Sequence, residues 1–411
     1  MAWRITPIEN GSITSVPGFR AAGVSCGLKK NGAADLALVV SQKPCVAAIM
    51  LTTNQFKAAP VLYDRTLVTA NPNGLRGVVI NAGVANACTG MQGERNAAEM
   101  AALAEKALGC PPGTMAVMST GVIGQQLPMD KIAAGIQAAA AALSEGPEAG
   151  HAAARAIMTT DTRPKERALR VSLDSGLSFT IAGMAKGSGM IHPNMATLLC
   201  TVTSDVRISP SLAQAAVREA VDASFNMVTI DGDTSTNDTA LLLCNGLAAM
   251  PDIADNAPEA YVAFRAGLMA LLVDLAKEIA RDGEGATRFI EITVRGTRSS
   301  ADAKKVAMSI AQSSLVKTAI YGRDANWGRI LCAVGYSGVP LDPSRVSLWL
   351  GDLHLVRNGE PYQIDEERAA AILDQPEISI VVDLGQGDSK ATVWTSDLSH
   401  EYVSINAHYR T

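Results

Sequence analysis

The segment Lys186-Gly-Ser-Gly-Met-Ile-His-Pro-Asn-Met-Ala-Thr-Leu-Leu-Cys200 lies near the middle of the chain, and its reading decides the rest. Gly187 and Gly189 loosen the backbone, Pro193 blocks helix and Asn194 favours a tight turn. Residues 198–202 are aliphatic and β-branched, which is a buried-strand pattern. A hydroxyl residue, Thr197, therefore opens a strand just after a glycine-rich bend and the small Ala196. If the Ala196–Thr197 peptide bond is itself a substrate, attack of Thr197 Oγ on the Ala196 carbonyl gives an ester by N-to-O shift. Hydrolysis of that ester frees Thr197 as a new N-terminus. Its α-amine, with a reference pKa of about 7.7–8.0, is then a base beside its own hydroxyl. A plain loop followed by a plain strand is the other reading, and the residues alone leave both open.

A chain of 411 residues is long for one core and predicts two packed lobes. With 48% hydrophobic and 18% charged residues, a sizeable core is expected and disorder is not. The net charge of -5, a pI near 5.6 and the lack of any Lys/Arg block exclude a nucleic-acid binder. Seven cysteines lack the spacing of a zinc site or a disulfide framework, which fits a reducing compartment. The opening Met1-Ala-Trp-Arg-Ile-Thr-Pro-Ile-Glu has no apolar signal core, and no apolar run is long enough to span a bilayer. A cytoplasmic protein is expected.

Outward from the central segment, 171–184 alternates loosely around Asp174-Ser-Gly and predicts a hairpin. Apolar runs at 36–41, 46–51, 78–80 and 115–118 predict strands. So do 227–230, 288–294, 330–334, 346–350 and 378–383, with 391–397 as a last hairpin arm. Helical spacing covers 96–108, 130–143 with Asp130 as N-cap, 211–224, 258–281 and 301–318, with one more short helix before Met158. Residues 144–150 read as a polar linker. The 258–281 helix stops at Asp282-Gly-Glu-Gly, which predicts a flexible tip carrying Glu284. Asp231-Gly-Asp-Thr-Ser-Thr-Asn-Asp alternates oxygen side chains like a calcium loop. The sixth and twelfth positions are Thr236 and Leu242 where Gly and Glu are needed, so a hydrogen-bonded supporting turn is expected.

Other residues carry chemistry by type. In Ser119-Thr-Gly, a Thr hydroxyl and an unobstructed Gly N–H could donate to an oxyanion, each worth about 3–4 kcal/mol; an ordinary strand-ending turn is the alternative. Lys186, eleven positions before Thr197, suits a substrate carboxylate or is a solvated lysine. His192 precedes a proline and has no evident Asp partner, so spacing builds no Ser/His/Asp triad. Gly187-Ser-Gly189 is too short for a dinucleotide fingerprint. Cys88 and Cys200 read as small buried apolar residues.

The central segment resembles the processing-site signature of the ornithine acetyltransferases of arginine biosynthesis, also called glutamate N-acetyltransferases. Ile80-Asn-Ala-Gly-Val-Ala-Asn-Ala-Cys-Thr-Gly, Ser119-Thr-Gly-Val-Ile-Gly, Thr159-Thr-Asp-Thr and Asp231-Gly-Asp-Thr-Ser-Thr-Asn-Asp agree with that family. So do Tyr321-Gly-Arg-Asp-Ala-Asn-Trp-Gly-Arg and the terminal Ser404-Ile-Asn-Ala-His-Tyr-Arg-Thr, and all stand in family order across nearly the whole chain. The resemblance implies a cytoplasmic enzyme that moves acetyl from N-acetylornithine to glutamate by ping-pong kinetics through an acetyl-Thr197 ester. Acetyl-CoA as a further substrate stays open; no metal, cofactor, nucleic acid or membrane partner is implied. The implied fold is a layered α/β sandwich superficially like N-terminal-nucleophile hydrolases. Self-cleavage between Ala196 and Thr197 would give chains 1–196 and 197–411, which stay together as a heterotetramer of two of each.

The resemblance also assigns roles. Thr197 is the nucleophile, and Thr120 with Gly121 forms the oxyanion hole. Thr160, Lys186, Thr197, Glu284, Asn406 and Thr411 bind substrate, with Lys186 on the shared α-carboxylate and Glu284 on the ornithine side-chain ammonium. The terminal carboxylate of Thr411 would act beside Asn406 if the tail folds into the site. Two alternatives remain: an N-terminal-Thr aminopeptidase or amidase in which water takes the acyl group, and a non-catalytic binding module that never cleaves.

Overall fold

Long apolar runs set the first sheet. Its strands are β1 (Trp3–Pro7), β2 (Phe19–Val24), β3 (Leu36–Leu51), β4 (Leu75–Val84), β5 (Met115–Val122), β6 (Lys165–Leu173), β7 (Ser178–Lys186), β8 (Leu199–Ser204) and β9 (Thr239–Cys244). The computed structural model describes residues 3–192, 198–253 and 258–408. They fall into two units, Met1–Gly187 with Asn194–Asn226 and Thr234–Leu275, and Ser188–Pro193 with Met227–Asp233 and Ala276–Thr411. Both units are α/β with mixed sheets.

In the first unit the strand order is β1-β6-β7-β8-β9-β3-β4-β5, with β2 also on β3; β4 and β5 run parallel, as do β8 and β9. Its helices are α1 (Ala59–Ala70), α2 (Gly90–Leu108), α3 (Met129–Ala142), α4 (Pro147–Ala156), α5 (Pro210–Asp222) and α6 (Pro258–Arg281), whose last turns belong to the second unit. The period-2 rule sorts β3 between two cores. Leu36, Leu38 and Val40 join Met100 of α2 and Ile132 and Ile136 of α3. Ala37 and Val39 join Val78, Ile80, Met118 and Ala153 of α4.

Several expectations are corrected here. Runs 36–41 and 46–51 are one strand, β3, whose register shifts between Val40 and Cys45. The exposed Gln42-Lys43-Pro44 lies at that shift, where a proline without an N–H is tolerated. The strand at 115–118 does not stop at Ser119, because parallel pairing continues through Ala82↔Thr120 and Gly83↔Gly121. Asp130 is not the N-cap of α3, since Pro128 is; Asp130 sits in the first turn, where its charge still suits the helix dipole. Nor is 144–150 a linker. Ser144 and Ala21 exchange backbone hydrogen bonds of 3.0 and 3.2 Å, and α4 starts at Pro147. The hairpin expected at 171–184 is present as β6 and β7.

The second unit holds β10 (Phe289–Thr297), β11 (Ser347–Leu350), β12 (Leu353–Arg357), β13 (Glu360–Pro361), β14 (Glu377–Asp383) and β15 (Ser389–Ser396), in the order β13-β12-β11-β14-β10-β15. Its helices are α7 (Ser300–Gln312), α8 (Ser314–Tyr321), α9 (Trp327–Gly335), α10 (Glu366–Leu373) and α11 (His400–Ala407). Ile290, Ile292 and Val294 of β10 form its core with Val306 and Ile310 of α7 and Ile380 of β14. The helix expected over 301–318 breaks at Ser313, whose side chain caps α8 by accepting from Val316 N. Residues 330–334 are helix, not strand. A five-residue apolar run is ambiguous by length, and the Asn326 side chain settles it by accepting from Arg329 N. Residues 227–230 form no strand beyond the bridge Val228↔Trp394. The last arm, β15, pairs antiparallel with β10 and not with β14, which lies parallel to β10. Among the described residues no helix is long and apolar enough to cross a membrane.

Candidate active site

The ladder locates the central segment. Lys186, the last residue of β7, pairs with Leu199, the first of β8, so 187–198 is the connection between two neighbouring strands. Leu198, the residue just before β8, is already tied to the start of β9. There Leu198 N donates to Asp238 Oδ1 at 3.1 Å and Leu198 O accepts from Thr239 N at 2.9 Å. Ala196 and Thr197, the expected cleavage pair and nucleophile, and Thr411 lie outside the described residues. Asp238 is fully buried, and burial pushes its carboxyl well above the usual range; its Oδ2 has no hydrogen-bond partner among the described residues.

In the first unit Thr120, Gly121, Lys186 and Thr160 are all placed. Thr120 is 5% exposed, and the strand carrying it is buttressed from two sides. Asn237 Nδ2 donates to Ser119 O at 2.8 Å and to Ala85 O at 2.6 Å, while Ser119 Oγ donates to Asn81 Oδ1 at 2.6 Å. Gly121 has φ +130°, and a Cβ there would stand 2.2 Å from Gly83 C. Two backbones meet too closely for a side chain, so this position needs glycine. Lys186 is not on the glycine bend and not solvated: it ends a strand and is 2% exposed. Its Nζ lies 3.5 Å from Thr120 Oγ1 and 3.8 Å from Asp161 Oδ2. Thr160 is half-buried in the loop between α4 and β6.

Asp161 was not singled out from the sequence. Its carboxylate accepts from Lys165 Nζ at 2.7 Å, Gly187 N at 2.8 Å and Thr159 N at 3.0 Å. Burial alone would raise its pKa, but the Lys186 and Lys165 ammoniums hold it well below the usual carboxylate range. The i,i+4 spacing of Asp161 and Lys165 was the available signal. On an assumed helix it would read as a surface pair, whereas both side chains are buried.

The second unit holds Glu284 and Asn406. Glu284 is not on a flexible tip, being only 7% exposed. Its N–H donates to Ser188 O at 2.8 Å, Ser188 Oγ donates to Asp282 O at 2.6 Å, and Asn406 Nδ2 donates to Glu284 Oε2 at 2.8 Å. A Cβ at Gly189 would sit 2.3 Å from Glu284 Oε2, so this glycine makes room for the carboxylate. Asp231 fixes the rest of the bend, accepting from Met190 N at 2.6 Å, Ile191 N at 2.9 Å and the Tyr402 hydroxyl at 3.3 Å. Thus the turn at Asp231 is the supporting structure expected of it. Burial, reinforced by the charge of Asp233, raises the Asp231 carboxyl despite those donors. Burial and the Asp231 charge also push the Tyr402 hydroxyl up.

Lys317, buried against β15, donates to Thr395 Oγ1 at 2.9 Å and to Ser396 O. Burial lowers its pKa to about 8, with Asp397 and Asp231 opposing. His192 Nδ1 meets Gln312 Nε2 at 2.8 Å and lies 3.5 Å from Thr229 Oγ1. Cys200 is buried as expected, but Cys88 is exposed, at φ +56°. Among the described residues no His, Cys, Asp and Glu side chains converge to hold a metal ion.

Residues 20–411 match the ArgJ family model. The chain is 54% identical over 403 residues to the arginine biosynthesis bifunctional protein ArgJ of Symbiobacterium thermophilum, covering 98% of this chain and 99% of that one. It is 48% identical over 398 residues to the protein of the same name in Geobacter sulfurreducens, covering 97% and 100%. A crystal structure of the Bacillus halodurans protein is 41% identical and covers 50% of this chain and 96% of that chain, at a TM-score of 0.48.

Proposed function

Since the chain belongs to the ArgJ family, we propose that it is an acetyltransferase of arginine biosynthesis, moving acetyl from N-acetylornithine to glutamate through an acetyl-Thr197 ester. The observation that carries this reading is the family match, which runs through residues 20–411. The name shared by the relatives, a bifunctional protein, supports a second activity, acetylation of glutamate from acetyl-CoA.

Maturation comes first. Thr197 Oγ attacks the Ala196 carbonyl, the peptide becomes an ester, and water releases a chain ending at Ala196 and another beginning at Thr197. The new α-amine then takes the Thr197 hydroxyl proton as Oγ attacks the acetyl carbonyl. The oxyanion is met by the Thr120 hydroxyl and Gly121 N–H. As the tetrahedral intermediate collapses, the proton passes to the departing ornithine amine. Glutamate repeats the steps in reverse, its amine attacking the ester carbonyl and Thr197 Oγ leaving. Because both amino acids offer their α-nitrogens to one ester, recognition rests on their shared α-carboxylate, which Lys186 binds. Glu284, held by Asn406, takes the ornithine side-chain ammonium; Thr160 and Thr411 complete substrate binding. The two fragments stay associated, two of each, in a cytoplasmic enzyme shaped like an N-terminal-nucleophile hydrolase.

Two measurements test this. Denaturing electrophoresis should show two fragments, the second reading Thr-Leu-Leu-Cys by Edman sequencing; fully active enzyme with one intact chain sinks the processing step. Labelled acetyl should pass from N-acetylornithine to glutamate with a protein-bound ester between. Release of free acetate at the same rate without glutamate would point to an amidase instead.

A further inference from the structure

Asp161 and Lys165 take no part in the steps above, yet their side chains are 1% and 0% exposed. A buried charge is tolerated only when paired and hydrogen-bonded. Asp161 meets that condition with Lys165 Nζ at 2.7 Å, Gly187 N at 2.8 Å and Thr159 N at 3.0 Å, and its Oδ2 faces Lys186 Nζ at 3.8 Å. The same Nζ lies 3.5 Å from Thr120 Oγ1. An ammonium has donors and no acceptor, so in this contact the Thr120 oxygen must accept. Its own proton is then directed elsewhere. The separation is long, as catalytic hydrogen bonds often are before substrate binds.

We infer that Asp161 is a positioning residue of the oxyanion hole: it holds the Lys186 ammonium against Thr120 Oγ1, so that the Thr120 hydroxyl gives its proton to the developing oxyanion. This rests on the acetyl-transfer reading and deepens it. Lys186 then acts twice, on the substrate carboxylate through KM and on the transition state, through Thr120, in kcat. Lys29 and Asp238 also act on the Lys186 ammonium. Burial lowers the pKa of the former and raises that of the latter, whereas Asp161 is ionised across the neutral range and supplies the fixed counter-charge.

The test is a double-mutant cycle on kcat for transfer from N-acetylornithine to glutamate, normalised to processed protein. Thr120→Ala is expected to lower kcat by about 10²–10³. Lys186→Met is expected to lower it by about 10–10² in the Thr120 enzyme but by less than about threefold in Thr120→Ala, while its KM increase persists in both. Losses that multiply overturn the inference. Asp161→Asn removes the counter-charge that holds the Lys186 ammonium beside Thr120, so its kcat loss should be expressed only where the Thr120 hydroxyl is present. A structural defect would lower kcat equally in the Thr120 enzyme and in Thr120→Ala, and that outcome overturns the role of Asp161. Should Asp161→Asn not fold, Asp161→Glu takes its place in the cycle, its added methylene displacing Lys186. A kcat loss that vanishes in Thr120→Ala supports the role, and an equal loss in both backgrounds overturns it. Variants that process too slowly are read on the rate of fragment appearance, which passes through the same oxyanion. A multiplicative cycle in protein that forms acetyl-enzyme sinks this inference alone. Absence of any acetyl-enzyme from labelled N-acetylornithine sinks the reading beneath it.

Discussion

Asp161 in the first unit and Asp231 in the second are both carboxylates taken out of water and both accept backbone N–H bonds, yet their pKa values move in opposite directions. Asp161 has two ammoniums beside it, and Asp231 has the like charge of Asp233. Burial sets the size of what is at stake, and the neighbours set its sign. The first unit thus holds a fixed ion cluster, while the second holds groups that titrate, among them Lys317 with a pKa near 8.

The largest effect is expected from breaking the fixed cluster. Asp161→Ala leaves Lys165 and Lys186 buried without that carboxylate and should cost about 3–5 kcal/mol in urea unfolding at pH 7. A loss below about 1 kcal/mol would mean that the cluster is hydrated and the contrast between units is false.

Next comes Glu284→Ala. It should lower kcat/KM for N-acetylornithine by about 10–10² and that for glutamate much less, because only ornithine carries a side-chain ammonium. Equal losses in ping-pong kinetics on processed protein would reduce Glu284 to a support of the bend at Ser188 and Gly189.

The titrating groups give a smaller, pH-dependent effect. The folded pKa of Lys317 lies near 8, below its ordinary 10.5, so between these values the unfolded chain binds more protons. Stability from this residue should therefore rise by about 2 kcal/mol from pH 7 to 9.5. Chemical denaturation at the two pH values should show that rise and its loss in Lys317→Met. Asp161 follows the same sign in a more acidic window: its folded pKa is also depressed, so its contribution is present above the unfolded carboxylate pKa and is lost as pH falls.

The smallest effect sharpens the second cluster. In Gly189→Ala the new Cβ meets the Glu284 carboxylate and must push it aside. KM for N-acetylornithine should rise by about tenfold, with KM for glutamate changed less. An unchanged ratio would show that Glu284 has room to move.

Much of this was legible in the sequence. The hairpin at 171–184, the helix at 258–281 and the buried strand after Thr197 followed from periodicity, because two periods suffice to tell a long helix from an alternating strand. The errors fell where a short apolar run, 330–334, was settled by one capping side chain, and where β5 continued because β4 lay beside it. The candidate site residues Thr120, Gly121, Lys186 and Glu284 come from the resemblance and not from periodicity.

Sequence by itself therefore determined which residue types are available, roughly where strands and helices run, and which family signature they carry. Only tertiary structure decided that Lys186 is buried rather than solvated and lies beside Asp161, and that Glu284 is pinned rather than mobile. Asp161 meets Gly187 across 26 positions and Lys186 meets Thr120 across 66. Desolvation and the sign of a neighbouring charge are properties of such long-range encounters, and local patterning contains neither.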